Sequence, residues 1–292
     1  AFAFVHIKQK EIADWRKYRK QLGYKNDPKL NHAKEVFYYS YSTGMGALSI
    51  SSFKPISKEQ LRTLERFKNV FGLAYRRFSD IKKAEAQARE AQIEAALERV
   101  RASSMAMHHS KELVDVALQV NAQILELGIK IDYTQIFTDL TDDPMDGATM
   151  WMASVNQDYL QKFRFPYLND THDKTIWGIR GSGKSLLLCL SKGQKNAYLR
   201  KAFKGSDLKR IPEDRKKALL DAPGWASCIV ALTNSSFNYG RWNLNEFTKE
   251  EEEILVRFSK VFEQTYTRFL DLQKAEEQAR EAKIEAGLER VR

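Results

Sequence analysis

Residues 178–191 read GIRGSGKSLLLCLS. The first eight, Gly178 to Ser185, match the phosphate-binding pattern G-x-x-x-x-G-K-[ST] in full, and that pattern predicts a helix opening at Gly-Lys-Ser. The residues that follow are apolar and then become basic, which predicts a strand leading into a helix. The two interpretations imply different folds, so the rest of the chain has to decide between them.

An internal repeat favours the strand. Residues 77–101 and 268–292 are identical at nineteen of 25 positions, at an offset of 191. With a shift of 184, residues 4–17 align with 188–201, and the aligned part of the first copy contains no Gly-Lys-Ser. We therefore predict that the chain enters a sheet at about residue 186. A P-loop nucleotide-binding protein that uses Gly178–Ser185 remains the first alternative.

The elements of the complete repeat predict the fold class. In the first copy, alternating residues 37–42 and 47–50 predict a hairpin around Gly44 and Gly46. The complete copy is expected to begin with a helix at 110–127 and strands at 133–140 and 148–155, followed by a loop through 163–167 and a short helix before 178. A strand at 186–191 and a basic helix at 194–203 are expected next. Strands at 226–233 and 240–244 and a long last helix complete the copy. This order predicts an α+β fold, an antiparallel sheet flanked by helices.

Two long helices are predicted to follow the hairpins. Capping boxes begin at Ser57 and Thr248, and no proline interrupts residues 57–107. In the second helix, apolar residues at spacings of three and four predict a parallel coiled-coil dimer. The expected dimer seam consists of Leu255, Phe258, Phe262, Phe269, Leu272, Ile284, Leu288 and Val291. A phase break within this seam indicates a switch element, with a rigid spacer as the alternative.

These elements predict four segments. Residues 1–56 form the second half of a first domain, and residues 57–109 form a linker helix. Residues 110–247 form a complete domain, and residues 248–292 form a second linker helix.

The order of elements resembles that of a GAF domain. Residues 247–255, FTKEEEEIL, resemble the usual start of the last helix in that family. The linker KAEAQAREAQIEAALERVR at 83–101 is similar to repeated linkers in multi-GAF sensor histidine kinases of bacteria. The resemblance implies a GAF-like sensory module of a two-component signalling protein. Such a module binds a small molecule or a protein, forms a homodimer and passes a signal along its helices to an effector domain.

The same resemblance places a ligand pocket between the sheet and residues 156–185. The candidate lining residues are Trp151, Phe163, Phe165, Tyr167 and Trp177. Cyclic-nucleotide-binding members carry an Asn-Lys…Phe-x-x-x-Asp-Glu signature, of which Asn245, Phe247, Glu251 and Glu252 match a part. Glu246 stands in the place of the lysine, so the sequence does not predict cyclic-nucleotide binding. No cysteine has the context of a bilin attachment site, and no cofactor is predicted.

The formal charge of +10 comes from two segments. Residues 192–217 carry ten Lys and Arg against three Asp and Glu, and residues 1–36 carry nine against four. Such segments attract phosphates, acidic partners or nucleic acid, which gives a second alternative, a basic adaptor that binds nucleic acid. Basic runs are more often solvated surfaces, and the sequence does not favour this alternative.

Nothing in the sequence indicates a catalytic or metal-binding residue. There is no Ser-His-Asp set and no Cys/His cluster, and the adjacent His108 and His109 would point to different faces of a helix. We therefore predict a protein that is not an enzyme. No apolar run approaches the roughly 18 residues of a membrane span, and Cys189 and Cys228 read as buried apolar residues of a reducing compartment. A cytoplasmic location is expected.

Overall fold

A computed structural model describes residues 1–24, 28–109, 112–138, 143, 146–154 and 160–290. The chain divides into two compact units, residues 1–89 and 90–292. The helices are α1 (Ile12–Gln21), α2 (Pro28–Asn31), α3 (Lys58–Met105), α4 (Leu113–Glu126), α5 (Thr171–Ile179), α6 (Lys192–Gly205), α7 (Glu213–Asp221) and α8 (Lys249–Glu289). The strands are β1 (Phe2–Ile7), β2 (Val36–Ser42), β3 (Ala47–Ser52), β4 (Tyr133–Thr138), β5 (Ala148–Ser154), β6 (Leu160–Phe165), β7 (Ser185–Ser191), β8 (Gly224–Ala231) and β9 (Ser236–Arg241).

Unit 1 contains a three-stranded antiparallel sheet in the order β1-β2-β3. The predicted hairpin is confirmed: Thr43 N donates to Gly46 O at 2.9 Å across the turn between β2 and β3. Gly44 has a φ of +88°, in the left-handed region that favours glycine. Among the described residues of this unit, the buried apolar side chains are Ile12, Val36, Phe37 and Tyr39.

Both predicted capping boxes are confirmed. Ser57 Oγ accepts from Gln60 N at 3.1 Å, and Ser57 N donates to Gln60 Oε1 at 2.8 Å. Thr248 and Glu251 make the same pair of bonds at 3.2 and 2.8 Å. These bonds satisfy amide groups of the first helical turn, which explains where the 48-residue α3 and the 41-residue α8 begin.

Unit 2 contains a six-stranded antiparallel sheet in the order β6-β5-β4-β9-β8-β7. The predicted α+β class, an antiparallel sheet flanked by helices with long helices attached, is confirmed. Residues 185–191 form a strand that pairs antiparallel with β8, so the prediction of a strand at residue 186 is also confirmed. The alternative P-loop at Gly178–Ser185 is wrong, because no helix opens at its Gly-Lys-Ser and its sheet is not parallel.

Side chains alternate between the two faces of this sheet, so each face has its own core. On one face, Ile136, Val230 and Phe237 join a buried cluster with α4, α8 and the last turns of α3. On the other face, Tyr133 and Trp225 join a second cluster with α6 and the segment after it. The cluster around α6 and the long helix α8 therefore lie on opposite faces of one sheet.

Three elements of unit 2 differ from the predictions. Residues 160–165 form strand β6, where a loop was predicted, because Phe163 and Phe165 alternate with outward Lys162 and Arg164. The strand predicted at 240–244 lies earlier in the chain: it begins at Ser236 and ends at Arg241. Helix α7 and a 3₁₀ turn at Asp207–Arg210 lie between the predicted basic helix and the strand that follows it, where no element was predicted.

The predicted dimer seam is wrong for its first half. Leu255, Phe258 and Phe262 are 0%, 0% and 1% exposed, because they pack in the core of their own unit. Phe269 and Leu272 are partly buried against the same cluster. Further along α8, Ile284 and Leu288 are exposed, whereas Val291 lies outside the described residues. The predicted domain boundaries at 56, 109 and 247 stay a prediction.

The turn between β8 and β9 is attached to the middle of α8. Glu263 accepts a hydrogen bond from Asn234 N at 2.7 Å, and its other oxygen accepts from Ser235 Oγ. Strand β9 is therefore held to the helix at its start.

Candidate functional site

A cavity of about 480 Å³ lies between the sheet and helices α6 and α7. We call it the α6–α7 cavity. Its described lining consists of Tyr133, Gln135, Met152, Lys162, Phe163, Leu199, Phe203, Leu208, Arg210, Ile211, Pro212, Arg215, Leu219 and Trp242. Its volume is typical of sites that bind small molecules, and its lining is mostly apolar with few polar groups.

The rings of Tyr133 and Trp242 form one wall of this cavity, and Trp225 packs against Trp242 outside the lining. The ring centroid of Tyr133 is 5.0 Å from that of Trp242, and Trp242 is 5.7 Å from Trp225. Tyr133 Oη accepts a hydrogen bond from Trp225 Nε1, which fixes the buried phenol. Gly240 lies opposite Tyr133 in the β4–β9 pair and leaves the space that the ring fills.

The cavity also contains arginine side chains. Arg215 is half-buried in α7, and the described part of the chain holds no hydrogen-bond or ion-pair partner for it. Arg210 pairs with Asp207 at 3.4 Å and is mostly exposed. Guanidinium groups bind carboxylates and phosphates through paired hydrogen bonds, so Arg215 is the stronger candidate for an anionic ligand group.

A buried lysine fixes α7 in place. The side chain of Lys195 in α6 is fully buried and donates to Leu219 O and, at 3.3 Å, to Leu220 O. Asn196 Nδ2 donates to Leu220 O at 3.0 Å. These bonds satisfy carbonyls at the end of α7 and hold Arg215 against the cavity.

The five predicted pocket residues do not share one cavity. Phe163 lines the α6–α7 cavity, while Phe165, Tyr167 and Trp177 line a smaller one of about 30 Å³ beside α5. That volume suits about one water molecule. Trp151 lies on the opposite face of the sheet, where its Nε1 donates to Thr138 Oγ1 at 3.1 Å.

A buried polar cluster connects α5 with α6. Asp173 accepts from Tyr198 Oη at 2.9 Å and from Leu168 N at 2.6 Å. The His172 ring lies 4.8 Å from Tyr198 and 4.9 Å from Trp225, between centroids. Burial lowers the pKa of His172 to about 4, against a smaller opposing effect of Asp170, and burial raises the pKa of Asp173.

We expect acid to destabilise unit 2 through His172. Its folded-state pKa of about 4 lies below the ordinary 6.5, so the neutral ring contributes stability above pH 6.5 that is lost as the pH falls towards 4. The loss should approach about 3 kcal/mol. Urea unfolding, followed by tryptophan fluorescence between pH 7 and about 4, measures it.

The matched variant is His172→Phe, which keeps an aromatic ring and removes the titration. Asp170 and Asp173 titrate in both proteins, so the difference between the two pH profiles isolates the histidine. The hydrogen bond from Lys201 lowers the pKa of Asp170, so the stability that this carboxylate contributes to the fold is lost only at lower pH. Parallel profiles for the two proteins would contradict the prediction.

Polar groups of the glycine-rich turn before β7 form hydrogen bonds with other parts of the fold. Gly181 N donates to Leu232 O at 3.1 Å, and Lys184 O accepts from Ala231 N at 2.9 Å. Ser185 Oγ donates to Glu252 Oε1 at 2.7 Å. This turn connects α5 to the sheet and has no helix N-terminus at which a phosphate could bind.

Arg241 is a site residue that the sequence analysis missed. Its buried guanidinium pairs with Glu251 and lies 3.9 Å from the ring centroid of Phe247. It also donates to Lys130 O and, at 3.2 Å, to Glu246 O. Burial tends to raise the pKa of Glu251, but hydrogen bonds from Arg241 and Thr248 lower it overall. Arg241 thus places a buried cation beside both Phe247 and Glu251.

The basic segment at 192–217 is partly neutralised within the fold. Lys201 pairs with Asp170, and Lys216 pairs with Glu213 at 2.6 Å. Lys195 is buried on carbonyl groups. The alternative of a basic adaptor stays a prediction.

The described residues contain neither a membrane-spanning helix nor a metal-binding cluster. No helix there combines the length and apolar character that a membrane span requires. Within the same ranges, no three side chains of His, Cys, Asp or Glu lie close enough together to hold a metal ion.

No protein-family model matches the sequence, and no curated protein matches it. The solved structures with a similar fold include two GAF domains and one chromophore-binding domain. The GAF domain of a phosphoenolpyruvate-protein phosphotransferase from Acinetobacter matches with 11% identity, 59% of this chain and 93% of that chain covered, and a TM-score of 0.36. The corresponding GAF domain from Coxiella burnetii matches with 15% identity, 66% and 98% coverage, and a TM-score of 0.38. The chromophore-binding domain of an unusual bacteriophytochrome from R. palustris matches with 9% identity, 65% and 63% coverage, and a TM-score of 0.37.

Proposed function

We propose that the chain is a GAF-type sensory and regulatory module that binds a small molecule in the α6–α7 cavity. The observation that carries the proposal is the cavity itself, with its wall of Tyr133 and Trp242 and the half-buried Arg215. Aromatic walls favour a planar apolar ligand, and a desolvated guanidinium favours an anionic group on it. The ligand class is therefore a planar, anionic small molecule.

We infer that the response leaves through α8. Trp242 lines the cavity, and its neighbour Arg241 binds Glu251 in the first turn of α8. A ligand that binds one arrangement of these residues more tightly than another shifts the balance between them. The parent protein in this proposal is a cytoplasmic signalling protein of the multi-GAF sensor kinase type. The repeated linker supports that proposal, and the effector domain is the module's functional partner.

We further propose that the module catalyses no reaction and that copies associate through their long helices. The described lining of the cavity holds no His, Cys, Ser, Asp or Glu side chain to act as nucleophile or base. Because Leu255, Phe258 and Phe262 are buried in their own unit, exposed Ile284 and Leu288 remain as contact residues on α8.

Ligand-observed NMR with a library of aromatic fragments tests the binding proposal. Each aromatic carboxylic acid in the library is paired with its primary amide. We expect acids to bind the chain more tightly than their amides, and Arg215→Met to weaken the acids about tenfold, the value of one charge-assisted hydrogen bond.

The matched control is Arg200→Met, which removes an exposed arginine of α6 outside the cavity lining. Binding of the acids should be unchanged by it. Acids and amides that bind equally to the unaltered chain and to Arg215→Met would contradict the proposal, as would a library without any binder.

A further inference from the structure

A second cavity of unit 2, of about 290 Å³, lies where the loop between β9 and α8 meets the segment that joins α4 to β4. We call it the polar cavity. Its described lining consists of Gly128 and six polar or charged residues, which are Lys130, Asp132, Arg241, Asn243, Asn245 and Glu251. That volume is near the lower end of the range for small-molecule sites, and this lining suits a small polar ligand.

The buried part of the polar cavity is an ion pair whose groups are already in use. Arg241 donates to Glu246 O at 3.2 Å and to Asn245 O at 3.4 Å. It also donates to Lys130 O and binds Glu251, which accepts hydrogen bonds at both of its carboxylate oxygens. Because Arg241 and Glu251 compensate each other, the selection of a ligand falls to the residues around them.

Two opposite charges line the polar cavity from the segment between α4 and β4. Lys130 and Asp132 are exposed, whereas Ile131 between them is buried in the core. Within the described part of the chain, no hydrogen bond or ion pair uses the Lys130 ammonium. Asp132 Oδ2 accepts from Trp242 N at 2.7 Å, and the described residues give its Oδ1 no partner. A cation and a carboxylate oxygen are thus available two residues apart.

Two asparagines add neutral hydrogen-bonding groups from the β9–α8 loop. Asn245 N donates to Asn243 Oδ1 at 2.8 Å, which fixes the turn. The Asn243 amide nitrogen and the Asn245 side chain make no other hydrogen bond within the ranges that the structure describes. An amide side chain both donates and accepts, so these groups can bind either end of a polar molecule.

The arrangement of charge selects the class of ligand. A divalent cation would meet the Lys130 ammonium, and it would compete with Arg241 for the Glu251 carboxylate. A phosphate or another simple anion would lie beside the Asp132 carboxylate, which repels it. A molecule with one positive and one negative group can pair with Lys130 and Asp132 together.

We propose that the polar cavity binds a small zwitterion of the α-amino acid type. The ligand carboxylate pairs with Lys130, the ligand ammonium pairs with Asp132, and the amides of Asn243 and Asn245 bind the remaining polar groups. The proposal does not rest on a ligand in the α6–α7 cavity. Asp132 nevertheless holds Trp242 N, and Trp242 lines that other cavity, so one loop connects the two sites.

Ligand-observed NMR with a set of α-amino acids, followed by calorimetric titration of the tightest binder, tests the proposal. Each amino acid is compared with its primary amide, which lacks the negative charge, and with its N-acetyl derivative, which lacks the positive charge. We expect the zwitterion to bind about fivefold more tightly than either analogue, the upper value for a pair with an exposed charged residue.

Two variants assign each charge of the ligand to one residue. Lys130→Met should weaken the zwitterion about fivefold without weakening the amide, because the amide has no carboxylate to lose. Asp132→Asn should weaken the zwitterion by a similar factor without weakening the N-acetyl derivative. The asparagine keeps an oxygen that can accept from Trp242 N, and circular dichroism should show intact folding for both variants.

The matched control is Lys174→Met, which removes an exposed lysine of α5 outside this lining and should leave amino acid binding unchanged. Arg215→Met should also leave it unchanged, and Lys130→Met should not affect aromatic acids in the α6–α7 cavity. The two binding proposals can therefore fail separately.

Four outcomes would overturn the proposal. One is the absence of any amino acid that binds at millimolar concentration, and another is equal binding of zwitterions and their analogues. Tighter binding of inorganic phosphate or Ca²⁺ than of every amino acid would show a different ligand class. A loss of amino acid binding in Arg215→Met but not in Lys130→Met would place the ligand in the α6–α7 cavity.

Discussion

Replacing Gly240 by alanine is expected to lower the free energy of unfolding of unit 2 by about 3 kcal/mol. An alanine Cβ at this position would overlap the ring atoms Cζ, Oη and Cε1 of Tyr133. The Tyr133 ring is 1% exposed, hydrogen-bonded to Trp225 and packed against Trp242, so moving it aside would cost stability. Urea unfolding followed by tryptophan fluorescence reports mainly on this unit, because only Trp15 lies outside it.

The matched control is Gly193→Ala in α6, where an added Cβ would meet no atom within 4 Å. Alanine favours a helix over glycine by up to about 1 kcal/mol, so this variant should be neutral or slightly more stable. A double variant with Tyr133→Leu should recover part of the loss from Gly240→Ala, because the smaller side chain removes the overlap. A Gly240→Ala protein as stable as the unaltered chain would show that the ring has room to move.

Replacing Arg241 by methionine should lower the free energy of unfolding by about 3 to 5 kcal/mol, because it leaves the partly buried carboxylate of Glu251 without its cation. The guanidinium is 8% exposed and the Glu251 side chain 22%, so solvent can replace little of the lost interaction. The carbonyls of Lys130 and Glu246 would lose their donor as well. Chemical unfolding measures the cost, and a double-mutant cycle with Glu251→Gln separates the ion pair from the rest.

Lys249→Met in the same helical turn serves as the comparison. Lys249 pairs with Glu252 but its side chain is 82% exposed, so its removal should lower the free energy of unfolding much less than the removal of Arg241 does. Equal losses for the arginine and lysine variants would mean that burial does not distinguish the two pairs.

The sequence was sufficient to predict the elements that have local signals. The apolar run after Ser185 aligns with the first copy of the repeat. This alignment predicted strand β7 correctly, although residues 178–185 match the complete nucleotide-binding pattern. Glycine at Gly44 and the capping residues Ser57 and Thr248 predicted a turn and two helix starts. Each of these signals acts within a few residues, where backbone geometry and hydrogen bonding decide the structure.

The partner of an apolar helix face could not be predicted in the same way. Spacings of three and four at Leu255, Phe258 and Phe262 describe a buried stripe, but they are the same for a coiled coil and for a sheet that covers the helix. The sheet of the same unit covers these residues. Only the end of the stripe, at Ile284 and Leu288, is left exposed.

The candidate site was predicted in part for a related reason. Once β6 is recognised as a strand, its register pairs Trp151 with Lys162 and Met150 with Phe163, which places Trp151 on the other face. A four-residue alternation was too short to indicate that strand. Arg241 and Arg215 had no local signal at all, because their roles arise from contacts with distant parts of the chain.

The two attachments of α8 make it a lever. Glu251 is held by Arg241 at one end of β9, and Glu263 is held by the β8–β9 turn at the other, roughly 18 Å along the helix. Sliding by a single residue, about 1.5 Å, would stretch both contacts, whereas a tilt of the helix together with the strand would keep them. With Glu251 as the pivot, a movement at Glu263 is magnified roughly threefold at Glu289, where the helix ends.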